Sequence, residues 1–171
     1  MSKGEYTTAI EHLITATLYP ENLEVGKPLD DERCAMIYYF MAKSYDEMGK
    51  KKQAKEFYTK STEARNNTRW ADLTYYQGQA YIALGNSEKG NALFRELIEK
   101  GESMLKKGTT GTGIAVEESA SQKKTQSTAN YLMALGNKGL GNSDKADALF
   151  RESLDAYKNN LWAKYYLNSK F

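Results

Sequence analysis

The sequence predicts an all-α protein built of antiparallel helical hairpins, and three observations carry that expectation. Residues 84–96, LGNSEKGNALFRE, return almost unchanged at 140–152 as LGNSDKADALFRE, and a more diverged copy, MGKKKQAKEFYTK, lies at 48–60. Apolar residues around each copy recur three and four positions apart, the spacing of one helix face. No segment alternates convincingly with the two-residue period of a strand. The turn glycines Gly49, Gly85 and Gly141 are spaced by 36 and 56 residues, which implies a repeat of about 34 residues with one insertion in the second interval.

Residues 3–18 carry Tyr6, Ala9, Ile10, Leu13, Ile14, Thr17 and Leu18 on one face. They predict an amphipathic helix that ends before Pro20, because a residue preceding proline is pushed out of the helical region. Residues 20–30, with two prolines and Gly26, read as a loop. From 31 to 48 the apolar set is wide enough for a helix buried on two sides, and Gly49 stops it. A helix over 51–65 follows within two residues, as in a helical hairpin, and Asn66-Asn67-Thr68 connects to the next pair.

The second pair is read as 70–84 and 87–104 around Gly85-Asn86, with Ser87 as the candidate N-cap. The third is 125–140 and 143–157, with Ser143 in that part. Between them, 106–124 is rich in Gly, Thr, Ser and Lys and reads as a mobile insertion between repeats. Residues 161–171 hold a last short helix whose Leu161, Trp162, Tyr165 and Tyr166 suit a cap over the exposed end of the stack. The whole of 1–171 is expected as one domain, with a lone second helix at 4–19, repeats at 35–68, 71–105 and 127–160, the insertion at 106–124 and the cap at 161–171.

Composition excludes several functions. With 40% hydrophobic and 27% charged residues the chain is globular rather than disordered. Its 24 basic residues nearly balance 22 acidic ones, so no strong field favours nucleic acid or an anionic membrane. One cysteine, Cys34, and one histidine, His12, exclude an intramolecular disulfide and a Cys/His zinc cluster within this chain. Residues 1–20, with Glu5, Glu11 and His12 among their apolar positions, are neither a signal-peptide core nor a membrane span, and a cytoplasmic location is favoured. No metal and no cofactor is expected.

Small residues and aromatics at fixed places give the units a family likeness. Ala42, Tyr45, Gly49, Ala54 and Tyr58 are followed by Gly78, Tyr81, Gly85, Gly90 and Phe94, then by Ala134, Asn137, Gly141, Ala146 and Phe150. This pattern resembles the tetratricopeptide repeat over residues 4–160, with Asn137 departing from the aromatic that the repeat has at that place. The resemblance implies helical hairpins stacked in a right-handed α-α superhelix. Ala or Gly at the crossings lets two helices approach to about 8–10 Å, although Gly90 inside a helix costs roughly 1 kcal/mol against Ala. Residues 4–18 resemble a second helix alone, with Ala9, Leu13 and Ala16 at the places of Ala54, Tyr58 and Ser61, so the native chain is expected to continue towards the N-terminus. The runs YPENLEVGKP (19–28), YYQGQAYIALG (75–85) and FRELIEKGESML (94–105) are similar to the repeat region of large bacterial proteins, frequent in gut Bacteroidetes, whose front half is a β-rich domain of unknown function. That likeness implies a C-terminal helical module and brings no catalytic residue with it.

Candidate chemistry is sparse. Gly108 to Gly113, after Lys106-Lys107, superficially suggests a phosphate cradle, but such a loop follows a strand and opens a helix with Lys-Ser/Thr at its end; a flexible loop is the better reading. Glu117-Glu118, Asp30-Asp31-Glu32 and Lys50-Lys51-Lys52 read as turns and solvated faces, and His12 as a half-buried surface residue. The feature that points to function is a tyrosine column. Tyr39, Tyr75 and Tyr131 each lie three residues before a small crossing residue, and Lys43, Gln79 and Leu135 follow them by four. In the repeat family this place lies on the first helix, on the concave wall of the superhelix, where equivalent positions line up from repeat to repeat. Tyrosine there suits an extended peptide or a sugar; packing between adjacent first helices is the other reading of the same residues.

The expected function is a non-enzymatic module that binds a protein or extended peptide, with a carbohydrate as the other candidate ligand and neither nucleic acid nor membrane as partner. The alternative is the helical C-terminal appendage of a larger, carbohydrate-related bacterial enzyme or binding protein. Self-association through the edge left open by the unpaired helix is a third.

Overall fold

The structure, a computed structural model, describes residues 3–18, 34–65, 71–107 and 115–168, the side chains of 3 and 115–119 apart. Eight helices lie within them: α1 Lys3–Thr17, α2 Cys34–Glu47, α3 Lys51–Glu63, α4 Leu73–Ala83, α5 Ser87–Lys107, α6 Ala115–Gly139, α7 Ser143–Ala156 and α8 Leu161–Asn168. No strand occurs among the described residues, so the all-α expectation holds. The chain divides into two compact units, Met1–Gly90 and Asn91–Phe171. The expected loop at 20–30, the connection at 66–68 and the glycine run at 108–113 lie outside the described residues.

Each hairpin turns on the same backbone device. Gly49, Gly85 and Gly141 have φ of 75°, 82° and 82°, a conformation that costs an L side chain about 1–2 kcal/mol. The Gly49 N–H donates to Asp46 O and the Lys50 N–H to Tyr45 O, both at 2.9 Å. Gly85 donates to Ile82 O at 2.9 Å and Asn86 to Tyr81 O at 2.8 Å; Gly141 donates to Lys138 O at 3.1 Å and Asn142 to Asn137 O at 2.9 Å. These pairs of bonds are Schellman closures, which satisfy carbonyls that a helix end leaves free.

The helices begin at Lys51, Ser87 and Ser143, but the closures correct the caps: one residue separates each glycine from the following helix, so Asn86 and Asn142 stand at the N-caps and Ser87 and Ser143 fall inside the first turn. The Asn86 carbonyl accepts from the Gly90 N–H at 3.1 Å, and its side-chain Oδ1 accepts from the Lys89 N–H at 3.1 Å. The Asn142 side chain makes no cap bond and instead donates from Nδ2 to Asn137 Oδ1 at 3.3 Å.

A second difference concerns the expected insertion. Residues 106 and 107 close α5, and α6 begins at Ala115, ten residues before the expected start at 125. Residues 115–124, AVEESASQKK, combine good helix formers with no apolar stripe. Periodicity therefore does not reveal them, since 120–124 are exposed on every side.

In the first unit α2 packs on α1, α3 and α4. Ile10 of α1 meets Ile37 and Met41, while Ala42, Ala54 and Ala80 are at most 2% exposed around Tyr58. The small residues read from the sequence thus stand where helices cross. A Cβ on Gly90 would lie 2.8 Å from Gly78 O and 2.7 Å from Ile82 Cδ1, so the close approach offsets the helix-propensity cost of that glycine.

In the second unit α7 packs on α6 and α8. Phe94, Phe150, Ala134 and Leu135 are fully buried. Asn137, the departure from the aromatic pattern, is also buried, and its Nδ2 donates to Met133 O at 2.8 Å. Ser153, 0% exposed, donates to Ser127 O at 2.8 Å and lies 3.0 Å from Ser127 Oγ. Asn160 Nδ2 donates to Ser153 Oγ at 3.0 Å and to Ser127 Oγ at 3.2 Å, while its Oδ1 accepts from the Ala163 N–H at 3.1 Å and so caps α8. Ser153→Ala leaves a buried carbonyl and an amide short of partners. It is expected to lower the stability of this unit by about 1–3 kcal/mol, read as a lower urea midpoint with unchanged slope; an unchanged midpoint would show that the cluster contributes nothing net.

Candidate functional site

The six residues of the proposed column divide between the two units. Tyr39, Lys43, Tyr75 and Gln79 lie in the first; Tyr131 and Leu135 lie in the second.

In the first unit the tyrosines form one aromatic cluster. The Tyr39 ring lies 5.5 Å from Phe40, 6.0 Å from Tyr58 and 5.7 Å from Tyr76. Tyr75 meets Tyr76 edge-on at 5.5 Å. Burial pushes the Tyr39 hydroxyl pKa up. Tyr58 is raised by burial first and then by Tyr39, Asp46 and Glu47. Tyr75 is raised by burial, Tyr39 and Tyr76 against an opposing hydrogen bond with Gln79. These phenols stay neutral over the physiological range and serve as apolar surface with a hydroxyl attached.

Exposure separates the members. Tyr75 is 7% exposed, whereas Tyr39 and Gln79 are half-buried and Lys43 is exposed. The first unit therefore presents a cation, an amide and a phenol edge beside a packed aromatic floor. Tyr76, buried, was not among the sequence candidates, yet it joins Tyr39 and Phe40. The signal for it is the doublet itself: Tyr39-Phe40 and Tyr75-Tyr76 each put one aromatic beside the column position.

In the second unit Tyr131, 6% exposed, packs on Phe150 at 6.1 Å and on Tyr166 at 6.4 Å. Leu135 is 0% exposed. Both fill the interior of their unit and present little surface to a ligand.

Among the described residues no group of three or more His, Cys, Asp or Glu is placed to hold a metal ion, and no helix is long and apolar enough to cross a membrane. Cys34 is buried, and His12 is exposed on α1.

Residues 35–68 and 72–100 each match a family model described as tetratricopeptide repeat. The two matches coincide with the α2–α3 and α4–α5 hairpins and support a tetratricopeptide repeat protein, in keeping with the all-α hairpin fold. Comparison with curated proteins and with solved structures gave no match. Such repeats are generally protein-interaction modules and typically non-enzymatic.

Proposed function

We propose, from two tetratricopeptide repeats in an all-α fold, that the chain is a non-enzymatic scaffold binding a protein or extended peptide along the first helices of its repeats. The observation that carries this is that Lys43 and Tyr39, one turn apart on α2, and Gln79 on α4 keep exposed surface in the first unit, Lys43 exposed and the other two half-buried. Lys43 would meet a carboxylate or carbonyl of the peptide, Gln79 its backbone amide, and the Tyr39 edge its apolar side chains. Tyr75 would hold Gln79 through their hydrogen bond. Tyr131 and Leu135 would support the helix face in their own unit.

Lys43→Glu combined with Gln79→Ala tests this at positions that are not core. Partner capture in a pull-down from native extract, or affinity for a captured peptide, is expected to fall about tenfold or more, a loss of roughly 1.4 kcal/mol, with helicity unchanged. Capture at wild-type level would remove these residues from the interface. A reading in which the repeats are the appendage of a larger carbohydrate-related protein rests on the resemblance of residues 19–28, 75–85 and 94–105. The reading frame upstream of Met1 is its test.

A further inference from the structure

The first helix is lightly held, and the surface beneath it is apolar. Ile10 is the one buried side chain among those described on α1; Tyr6, Ala9, Leu13 and Thr17 share its face and are half-buried. The helix is also built from weak helix formers, with Gly4, four threonines and two isoleucines in KGEYTTAIEHLITAT. The Thr8, Thr15 and Thr17 hydroxyls donate to Gly4 O, Glu11 O and Ile14 O at 3.2, 2.9 and 2.7 Å, so these bonds stay within α1 and do not tie it to α2. A short helix with low propensity and one deeply buried anchor opens ahead of the core it lies on.

Beneath it, Ile37 and Met41 of α2 meet Ile10. Tyr38, Tyr45 and Met48 of α2 and Phe57 of α3 stand around them, only partly buried with α1 in place. Tyr45 stacks on Phe57 at 5.5 Å, and Tyr38 lies 6.1 Å from the same ring. The rim is cationic: the Lys50 ammonium lies 5.9 Å from the Tyr45 ring and that of Lys60 4.6 Å from Phe57. α1 brings the exposed acids Glu5 and Glu11. Ala42, Ala54 and Tyr58 join α2 to α3 without α1, so the floor keeps its form when α1 lifts. Aromatics with methionines make an adaptable apolar floor for a helix. This face is not the one bearing Tyr39 and Lys43, which lie two residues, and so about 200° around α2, from Ile37 and Met41.

We propose that α1 is a strap over this seat, which opens ahead of the α2–α3 hairpin and yields Ile37, Met41, Tyr45 and Phe57 to an amphipathic helix of a partner. The fitting helix repeats α1's own chemistry, with large apolar residues three and four apart and acids beside them. The chain from Thr17 to Cys34 keeps a lifted α1 tethered, so it competes at an effective concentration of about millimolar. A partner therefore binds more weakly than the bare seat allows, by the fraction of chains that are open.

The probe is a fluorescent peptide of residues 3–18, followed by anisotropy against the whole chain up to about 1 mM. Ile10→Glu/Leu13→Glu removes the strap's anchors and should bind the peptide at least about tenfold more tightly than wild type. Leu13→Glu, at a half-buried position, should fall between them. Phe57→Lys in the Ile10→Glu/Leu13→Glu chain should abolish binding with helicity kept, and Glu5→Lys/Glu11→Lys in the peptide should weaken it. In wild type, the α1 amides should exchange hydrogen by an opening that leaves Lys51–Tyr58 protected. No binding to the Ile10→Glu/Leu13→Glu chain, equal binding to it and to wild type, or binding that survives Phe57→Lys overturns the proposal. So does α1 opening only together with α2 and α3. A wild type that sediments as a dimer by exchanging α1 would give the seat to a second copy and would overturn the partner as its occupant.

Discussion

Phe150→Ala is expected to lower the stability of the second unit by about 3–5 kcal/mol, the usual range for deleting a fully buried phenylalanine. Phe150 is 0% exposed, and its ring joins three helices: it stacks on Tyr166 of α8 at 5.3 Å and meets Tyr131 of α6 at 6.1 Å. Its removal takes away transfer free energy and opens a cavity bounded by rings that cannot collapse without moving whole helices. Because Tyr166 is one of only two buried residues of α8, the short helix should loosen first. Urea unfolding followed by circular dichroism would read the loss of stability. Fluorescence in a Trp70→Phe background would follow Trp162 on α8. A cost below about 1 kcal/mol would mean that the core repacks around the gap.

Gly136→Ala is the second large effect, and its sign runs against helix propensity. In an open helix alanine would stabilise by about 1 kcal/mol. Here a Cβ on Gly136 would overlap the Phe94 carbonyl oxygen of α5 and lie 2.7 Å from Ile98 Cγ1. Further along the same pair of helices a Cβ on Gly101 would lie 2.6 Å from the Ala129 carbonyl oxygen. Backbone cannot yield as a side chain does, so the helices must separate, at about 1–3 kcal/mol for overpacking. Gly139→Ala differs in kind, because its Cβ would strike the Phe94 ring.

A double-mutant cycle distinguishes the two. Phe94→Leu should relieve much of the cost of Gly139→Ala, with a coupling of about 0.5–3 kcal/mol for groups in contact. The same change should leave the cost of Gly136→Ala in place, because the carbonyl oxygen remains. Equal relief at both glycines would show that the ring, not the backbone, limits the approach of α5 and α6.

The parts of the fold that depend on neighbours in the chain are legible from residue types. Gly49, Gly85 and Gly141 end their helices because only glycine takes positive φ without strain. Ala42, Ala54, Ala134 and Ala146 lie buried at crossings because a hairpin repeated three times needs small residues at the same places. The serines misread as caps show the limit of that logic: the backbone count through a Schellman closure assigns the cap to Asn86 and Asn142, one residue earlier. Residues 115–124 escaped because their sequence carries no apolar stripe, and 120–124 are exposed on every side.

The tyrosine column marks where local reasoning stops. Its positions follow from sequence spacing, but exposure depends on what packs against each ring. Tyr76 and Tyr39 gather in one unit, Tyr131 is covered by Phe150 and Tyr166 in the other, and Leu135 has no exposed surface at all. The sequence by itself determined the all-α class, the three hairpin turns and the small residues at the crossings, since these are fixed by φ, helical period and side-chain volume within a few residues. Only the tertiary structure decided which aromatics became core and which of Lys43, Gln79 and Tyr39 kept exposed surface, because burial is set by helices far away in the chain.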